Sequence, residues 1–71
     1  LDDIVLADVL NRFLSTLDEQ KRNIFVRRYW YLDSITAISK RFALSESKIK
    51  TTLFRCRRQL KEYLEKEGYT V

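Results

Sequence analysis

Residues 43–58 are rich in hydroxyl-bearing and positively charged side chains. These are the side chains in the sequence that are best suited to chemistry. The stretch "ALSESKIKTTLFRCRR" places two serines around one glutamate, followed by two threonines and five lysines or arginines. Hydroxyls, amides and cations bind phosphate oxygens, and short polar side chains can approach the edges of bases. The residue types therefore indicate noncovalent recognition of a polyanion rather than catalysis.

The groups that most enzymes use are missing from the sequence. It has no histidine, no glycine-rich phosphate loop and no metal-ligand spacing, and Cys56 has no basic partner of the usual kind. We therefore expect no enzymatic activity, no cofactor and no metal site. A single cysteine cannot form an intramolecular disulfide, so it fits a reducing compartment.

Length and composition indicate one small all-α domain. The 71 residues are near the lower limit for a self-sufficient core, and one glycine with no proline is too few for strands joined by tight turns. No apolar run could cross a membrane and no secretory signal is visible, so we expect a cytoplasmic protein. The sequence does not begin with methionine, and we expect residues 1–71 to be a fragment of a longer chain.

Charge is distributed unevenly along the chain. Residues 1–20 contain five acids and one base, whereas residues 21–71 contain thirteen bases and five acids. A basic segment beside an acidic one favours a polyanion as the partner of one face. A solvated charged surface is the alternative that charge alone leaves open.

Apolar spacing predicts two helices in the first half of the chain. The first runs over about 2–15, where leucines and Phe13 recur at helical spacing. The second begins after Thr16, because "TLDE" has the pattern of a capping box between Thr16 and Glu19. It is predicted to continue to about Tyr31.

Two further helices follow the segment "LDS". Ser34 is the predicted cap of a short third helix, "ITAISKRF", and Ser45 is the predicted cap of a long fourth one. The fourth helix is predicted over about 46–67, with Gly68 as its stop. The four helices together form a compact all-α domain.

The fourth helix has two different faces at 100° per residue. Its apolar stripe, predicted to enter the core, consists of Ile49, Leu53, Cys56, Leu60, Tyr63 and Leu64. Its opposite face carries hydroxyls, cations and one aromatic ring, in Ser47, Lys50, Thr51, Phe54, Arg57, Arg58 and Lys61. We expect Cys56 to be a small buried apolar group.

A short helix, a turn of about three residues and a longer helix with a polar outer face are typical of a helix-turn-helix. Acids in the first turn of the longer helix would favour the helix dipole but repel DNA, whereas serines cap the helix without that repulsion. A plain helical bundle is the alternative at this point.

The segment "SITAISKRFALSESKIKTTLFRCRRQL", residues 34–60, resembles the helix-turn-helix of region four in bacterial sigma factors of the sigma-70 family. The usual pattern is close to S-Y-x-E-I-A-x-x-L-G-I-S-x-x-T-V-K-S-x-L-x-R-A-R-x-x-L, and it is matched without a gap at Ser34, Ile38, Phe42, Leu44, Ser45, Ile49, Lys50, Leu53, Arg55, Arg57 and Leu60. Upstream, "LDEQKRNIFVRRYW" resembles the family's L-P-x-x-x-R-x-V-F-x-L-R-Y run. The closing "LFRCRRQLKEYLEKEG" is most similar to the extracytoplasmic-function branch.

Four positions depart from the family pattern. Ala43 replaces the usual turn glycine, and alanine fits this position without strain if the backbone there avoids positive φ. Ala37 replaces the common capping glutamate, and Asp18 replaces the proline of the second helix. Ser39 stands where a small alanine usually packs, and its hydroxyl could bond back to a carbonyl.

The resemblance implies recognition of the upstream (−35) promoter element in double-stranded DNA, while other parts of the domain hold the flap of the RNA polymerase β subunit. It places four residues against base edges, namely Glu46, Ser47, Lys50 and Thr51. It places seven residues against phosphates, namely Ser34, Thr36, Lys40, Ser45, Lys48, Arg55 and Arg58. An anti-sigma factor is a further candidate partner.

Several of these side chains have a plain structural alternative. Ser34 and Ser45 serve equally well as caps alone, and Glu46 could serve only the helix dipole. Arg57 could pair with the first or second helix instead of DNA. Phe54 has two possible contacts, a thymine methyl or deoxyribose on DNA and a neighbouring side chain within the domain.

The aromatic cluster "FVRRYWY" suggests a second apolar face on the second helix. Phe25 and Tyr29 suit the core, whereas Val26 and Trp30 lie on a different side. That side is either a seam packed against the first helix or a docking patch, and we favour the seam.

Two other functions remain open at this stage. One is a LuxR-type response-regulator output domain, which also has four helices, usually dimerises through the last one and reads palindromic sites. The other is a helical protein-interaction module without DNA binding, for which DNA affinity would be weak at any salt concentration.

Overall fold

The computed structural model describes residues 3–69, with side chains from residue 5 onward. It has four helices, which are α1 (Asp3–Ser15), α2 (Glu19–Tyr29), α3 (Ile35–Phe42) and α4 (Glu46–Lys66). The predicted all-α fold with a helix-turn-helix is confirmed. The second helix ends two residues before the predicted Tyr31, and the predicted start of the first helix at residue 2 lies outside the described residues.

The cap of α2 differs from the predicted one. The Oδ1 atom of Asp18 accepts a hydrogen bond of 2.9 Å from the backbone N–H of Lys21, whereas the Thr16 hydroxyl donates to the Phe13 carbonyl at 2.6 Å. The predicted capping box between Thr16 and Glu19 is therefore wrong. Thr16 still belongs to the end of α1, and the Asp18 carboxylate caps α2 while also facing its positive dipole end.

The predicted caps of α3 and α4 are confirmed. The Ser34 Oγ atom accepts from the Ala37 N–H at 3.0 Å, and the Ser45 Oγ atom accepts from the Lys48 N–H at 3.1 Å. Both serines have extended backbone, which lets each chain segment enter its helix abruptly. Gly68, at φ +89°, closes α4 as predicted.

The turn between α3 and α4 uses left-handed backbone. Ala43 has φ +55°, so the condition for an unstrained alanine at this position is not met. The N–H of Leu44 donates to the Ser39 carbonyl at 3.1 Å, and the N–H of Ala43 faces the Lys40 carbonyl, which is the pattern of a Schellman end. The Ser39 hydroxyl donates forward to the Leu44 carbonyl rather than back along α3. This serine therefore ties the two sides of the turn together.

One core cluster holds the helix-turn-helix together. Ile24 of α2, Ile38 of α3, and Ile49 and Leu53 of α4 are all buried and pack against one another. Three partly buried side chains close its edges, namely Ile35, Phe42 and Leu44. Because all three helices contribute to this cluster, it fixes the orientation of α4 relative to α3.

A second cluster attaches α1. Phe13, Leu17 and Cys56 are buried together, and the Phe13 ring lies 6.1 Å from Phe25 and 5.7 Å from Tyr63, centroid to centroid. Val9 of α1 is also fully buried, although it was not among the positions whose spacing predicted this helix. The leucines Leu6, Leu10 and Leu14 are only partly buried.

Candidate nucleic-acid interface

The first cluster turns the polar face of α4 outward. Ile49 and Leu53 point into the core, so the side chains about 180° away from them point to solvent. Every predicted contact residue is exposed: Glu46, Ser47, Lys50 and Thr51 in the base-facing group, and Ser34, Thr36, Lys40, Ser45, Lys48, Arg55 and Arg58 in the phosphate-facing group. Their contacts with DNA stay predictions.

The N-termini of α3 and α4 lie side by side. The Thr36 hydroxyl donates to the Glu46 Oε2 atom at 3.2 Å, across the turn that separates the two helices. This bond joins a residue predicted to face phosphate to one predicted to face a base. It holds the Glu46 carboxylate near α3, which limits how far that side chain can lean outward.

The capping serines keep a free donor. Each hydroxyl of Ser34 and Ser45 accepts one backbone N–H through its oxygen. Because a hydroxyl has one hydrogen and two lone pairs, the hydrogen remains available to a phosphate oxygen. Capping and phosphate binding are therefore compatible at both positions.

Positive charge dominates this surface. Residues 34–61 contain eight bases, and Glu46 is their only acid. Within residues 3–69, the ion pairs involve Arg12, Lys21 and Arg27, and none involves a cation of α3 or α4. The cations of the helix-turn-helix therefore project into solvent without internal neutralisation.

Arg57 is held by α2. Its Nη1 atom donates to the Tyr29 hydroxyl at 2.6 Å, so the alternative in which Arg57 pairs with the second helix describes its contact in this structure. Tyr29 is 43% exposed and is not part of the core, contrary to the expectation for it. Its ring leans on Phe25, with 4.8 Å between centroids, and its hydroxyl reaches the surface beside α4.

Phe54 lies in the outer face of α4 and is 53% exposed. A large exposed ring among cations could contact deoxyribose or a thymine methyl, so a contact between Phe54 and DNA stays a prediction. Thr52, which was not assigned to the core, is buried on the inner side of the same helix. Thr52 lies one residue before Leu53, at the margin of the predicted stripe.

An apolar groove runs between α1 and α2. It is lined by Ala7, Leu10, Asn11, Leu14, Phe25, Val26, Tyr29 and Trp30, and has a volume of about 300 Å³. Trp30 is 79% exposed, so the expected packing seam against α1 does not include Trp30, whereas Val26 is half-buried. The seam stays open because α1 packs mainly against α4 through the second cluster.

Cys56 is buried among the side chains of the second cluster. Burial raises the pKa of its thiol, an effect that the nearby Lys21 partly opposes. A buried neutral thiol fits the predicted role of a small apolar group. Within residues 3–69, no group of histidine, cysteine or acidic side chains could hold a metal ion, and no helix is long and apolar enough to span a membrane.

A helix-turn-helix whose outer helix presents exposed hydroxyls and unpaired cations defines a DNA-binding domain. The family described as Sigma-70, region 4 matches residues 13–62, which are 50 of the 71 residues. The chain belongs to this family. It is therefore a DNA-binding region of the sigma-factor type, and its family is associated with RNA polymerase in transcription.

Comparison with curated proteins and with solved structures gives no match. The family match covers the helix-turn-helix, α2 and the buried end of α1. It favours the sigma-factor interpretation over the LuxR-type output domain and over a module that does not bind DNA.

Proposed function

We propose that this domain reads the −35 element of promoters in the major groove and so directs RNA polymerase to them. The observation that carries the proposal is the outer face of α4, where exposed polar side chains occupy the first two turns and no carboxylate pairs with their cations within residues 3–69. A major groove admits one helix, and the first two turns of α4 carry exposed polar side chains on their outer face.

The base-reading group has complementary chemistry. Lys50 can donate to guanine O6 and N7, while Glu46 can accept from a cytosine amino group. Ser47 and Thr51 are short and can approach either kind of edge. A site with guanine and cytosine at neighbouring positions would use both charged residues.

The phosphate-binding group surrounds the reading group. Ser34 and Thr36 begin α3, Lys40 lies further along that helix, and Ser45 and Lys48 begin α4. Arg55 and Arg58 lie two to three turns further along α4. Contacts of this kind orient the protein on the duplex without carrying sequence information.

Polymerase would be held by a different surface. The open groove between α1 and α2 presents an apolar floor and the exposed Trp30 ring, which suits an apolar segment of the β-subunit flap. An anti-sigma factor covering the same groove would compete with polymerase. DNA and polymerase could then bind at once, because the groove lies on α2 and α1 rather than on the outer face of α4.

Selection from a pool of random duplexes tests the DNA half of the proposal. We expect the chain to enrich one short motif and to bind it at least about a thousandfold more tightly than scrambled DNA, the lower end for specific readers. Lys66→Ala removes the same charge as Lys50→Ala but lies in the last turn of α4, and should retain the motif. Failure of the wild-type chain to enrich any motif would contradict the proposal.

A further inference from the structure

Glu46 is the one carboxylate on the basic surface of the helix-turn-helix. It is the first residue of α4, and residues 34–61 contain eight bases and no other acid. A carboxylate at this place repels DNA phosphates, so it weakens binding unless its oxygens meet hydrogen-bond donors. The contact that Glu46 makes within the folded domain therefore bears on what it can do on DNA.

The Glu46 carboxylate bonds to Thr36 and not to the lysine that follows it on the same helix. Lys50 lies four residues after Glu46, which is the spacing and the order that favour an ion pair along a helix. Within residues 3–69 that ion pair is absent, and the Thr36 hydroxyl donates to the Glu46 Oε2 atom at 3.2 Å. Lys50 therefore keeps its charge available to DNA while α3 holds Glu46.

The core fixes the backbone on both sides of this bond. Ile38 of α3 and Ile49 of α4 are buried in one cluster, two or three residues along from the bonded pair. The Ser39 hydroxyl also joins the turn between the helices by donating to the Leu44 carbonyl. Because the core holds the two helices together, the bond selects a direction for the Glu46 side chain. An exposed glutamate loses rotamer freedom when it binds a base, and here part of that loss has already occurred on folding.

The Thr36 hydroxyl has a single hydrogen to donate. That hydrogen goes to Glu46, and the lone pairs that remain on the hydroxyl cannot bind a phosphate oxygen, which is itself an acceptor. The adjacent carboxylate would also repel a phosphate at this place. The Oε1 atom of Glu46 takes no part in the bond and can accept from a donor on DNA.

We propose that Thr36 is a positioning residue for base reading, which holds Glu46 towards the amino group of a cytosine. The inference rests on the proposed function and changes one part of it, since Thr36 leaves the phosphate-binding group and the other residues of that group stay. A carboxylate can accept from cytosine N4, but guanine O6 and N7 and thymine O4 are acceptors that it repels. Held in one direction, Glu46 favours cytosine at one position and rejects guanine and thymine there.

Base-pair scanning of the selected duplex provides the measurement. Each position of the motif is changed to the other three base pairs, and affinity is measured for the wild type, Thr36→Val, Thr36→Ser and Glu46→Ala. Thr36→Val keeps the shape of the side chain but removes its hydroxyl, and should lower the preference for cytosine about three- to tenfold at one position. Glu46→Ala should lose preference at that same position, and Thr36→Ser should resemble the wild type.

The double variant Thr36→Val/Glu46→Ala tests whether the two residues act together. It should lose no more preference than Glu46→Ala alone, because Thr36 acts only through Glu46. Affinity of Thr36→Val for a scrambled duplex should stay within about twofold of the wild type, since no phosphate contact is lost. Thr36 is exposed, so Thr36→Val and Thr36→Ser should keep the denaturant midpoint of the wild type.

The outcomes separate the role of Thr36 from the proposed function. If Thr36→Val weakens binding to preferred and scrambled duplexes by the same factor, Thr36 binds a phosphate and the inference is wrong. If Thr36→Val leaves the preference intact, or changes it at a position that Glu46→Ala does not affect, Thr36 does not position Glu46. In these cases the wild-type chain still selects a motif, and the proposed function stands. A wild-type chain that enriches no motif contradicts the inference and the proposed function together.

Discussion

Arg12, Lys21 and Arg27 each form an ion pair with a carboxylate, and all three precede the helix-turn-helix. Their partners are Asp8, Asp18 and Asp33, with Glu67 as a second partner of Arg12. These surface pairs contribute little to stability, because solvent screens them. Their consequence is electrostatic, since they neutralise three cations ahead of the helix-turn-helix, whereas within residues 3–69 no cation of α4 has an ion-pair partner.

Lys50 and Arg55 should behave differently when each is replaced by alanine. Lys50→Ala should lower affinity for the preferred duplex more than for a scrambled one, with about 1–3 kcal/mol of discrimination lost. Arg55→Ala should lower both affinities together, because a phosphate contact is the same on every sequence. Both duplexes are measured at one fixed salt concentration, so that nonspecific attraction cancels in the ratio.

An unchanged ratio for Lys50→Ala would contradict its assignment to a base. Base reading would then pass to Ser47, Thr51 or Glu46. If Lys50→Ala weakens the dependence of affinity on salt concentration but leaves the ratio of affinities for the two duplexes unchanged, Lys50 contacts a backbone phosphate instead.

Cys56 should react slowly with iodoacetamide in the folded protein. Its thiol is buried and its pKa lies above the ordinary value of 9.0, so little thiolate is present near neutral pH and less is accessible. Urea should increase labelling in step with unfolding, as followed by mass spectrometry. Labelling of the folded chain as fast as that of free cysteine would show that the second cluster opens readily.

At the scale of elements, the turn between α3 and α4 carries backbone strain that glycine would relieve. Left-handed backbone costs an L-residue about 1–2 kcal/mol, so Ala43→Gly should stabilise the domain, by less than that amount because glycine also loses more entropy on folding. Ala37→Gly makes the same substitution within α3 and should cost about 1 kcal/mol. Denaturant titration measures both, and destabilisation by Ala43→Gly would contradict the strain argument.

The inner stripe of α4 is tested by a neighbouring pair of residues. Leu53→Ala should cost about 2–5 kcal/mol, because Leu53 is buried against α2 and α3. Phe54→Ala changes the adjacent exposed ring and should cost within about 0.5 kcal/mol. A large part of the stability of a domain this small depends on Leu53. Equal thermal midpoints for the two variants would mean that α4 is rotated about its axis.

The helices were predictable where pattern and cap agree. Ser34, Ser45 and Gly68 mark their helix ends unambiguously, and the apolar stripe of α4 has one orientation that buries it. The start of α2 was not predictable, because Thr16 and Asp18 are both good capping residues and sequence spacing cannot decide between them. The decision depends on where α1 ends, which is set by tertiary contacts of Phe13 and Leu17.

The candidate interface was predictable to the extent that it lies on one helix. The outward direction of Ser47 and Lys50 follows from the period of α4 alone. The cleft between α2 and α4 that Arg28 and Arg57 line was not predictable from the sequence. These two arginines are 29 residues apart and come together only through the packing of α2 on α4. The family pattern, with glycine in place of Ala43, raised the question of positive φ there, but an alanine in the sequence cannot by itself show which backbone angle it adopts.

At the scale of the whole molecule, the acidic and basic side chains lie in different parts of the sequence. The acids of residues 1–20 accompany α1, and the bases accompany the helix-turn-helix, so the electric field is asymmetric. We expect such a field to orient the domain with α4 towards DNA as the two approach each other. The groove between α1 and α2 remains accessible on a domain bound in this way.

Trp30→Ala should therefore weaken polymerase binding without affecting DNA. An exposed tryptophan that enters a partner's pocket is a common hot spot, so we expect affinity for polymerase core to fall about thirtyfold. Affinity for the selected duplex should not change. Leu32→Ala removes another exposed apolar side chain that does not line the groove, and provides the control. Equal losses for DNA and polymerase would contradict two independent surfaces.

The division of the core along α4 limits how the length of this protein can vary. Ile49 and Leu53 belong to the first cluster, whereas Cys56 and Leu60 belong to or pack against the second. One residue inserted between Leu53 and Cys56 would rotate everything after it by about 100°, so only one cluster could keep its contacts. The spacing within α4 is therefore held by two cores at once, and the length of this helix between Leu53 and Cys56 cannot change without loss of one of them.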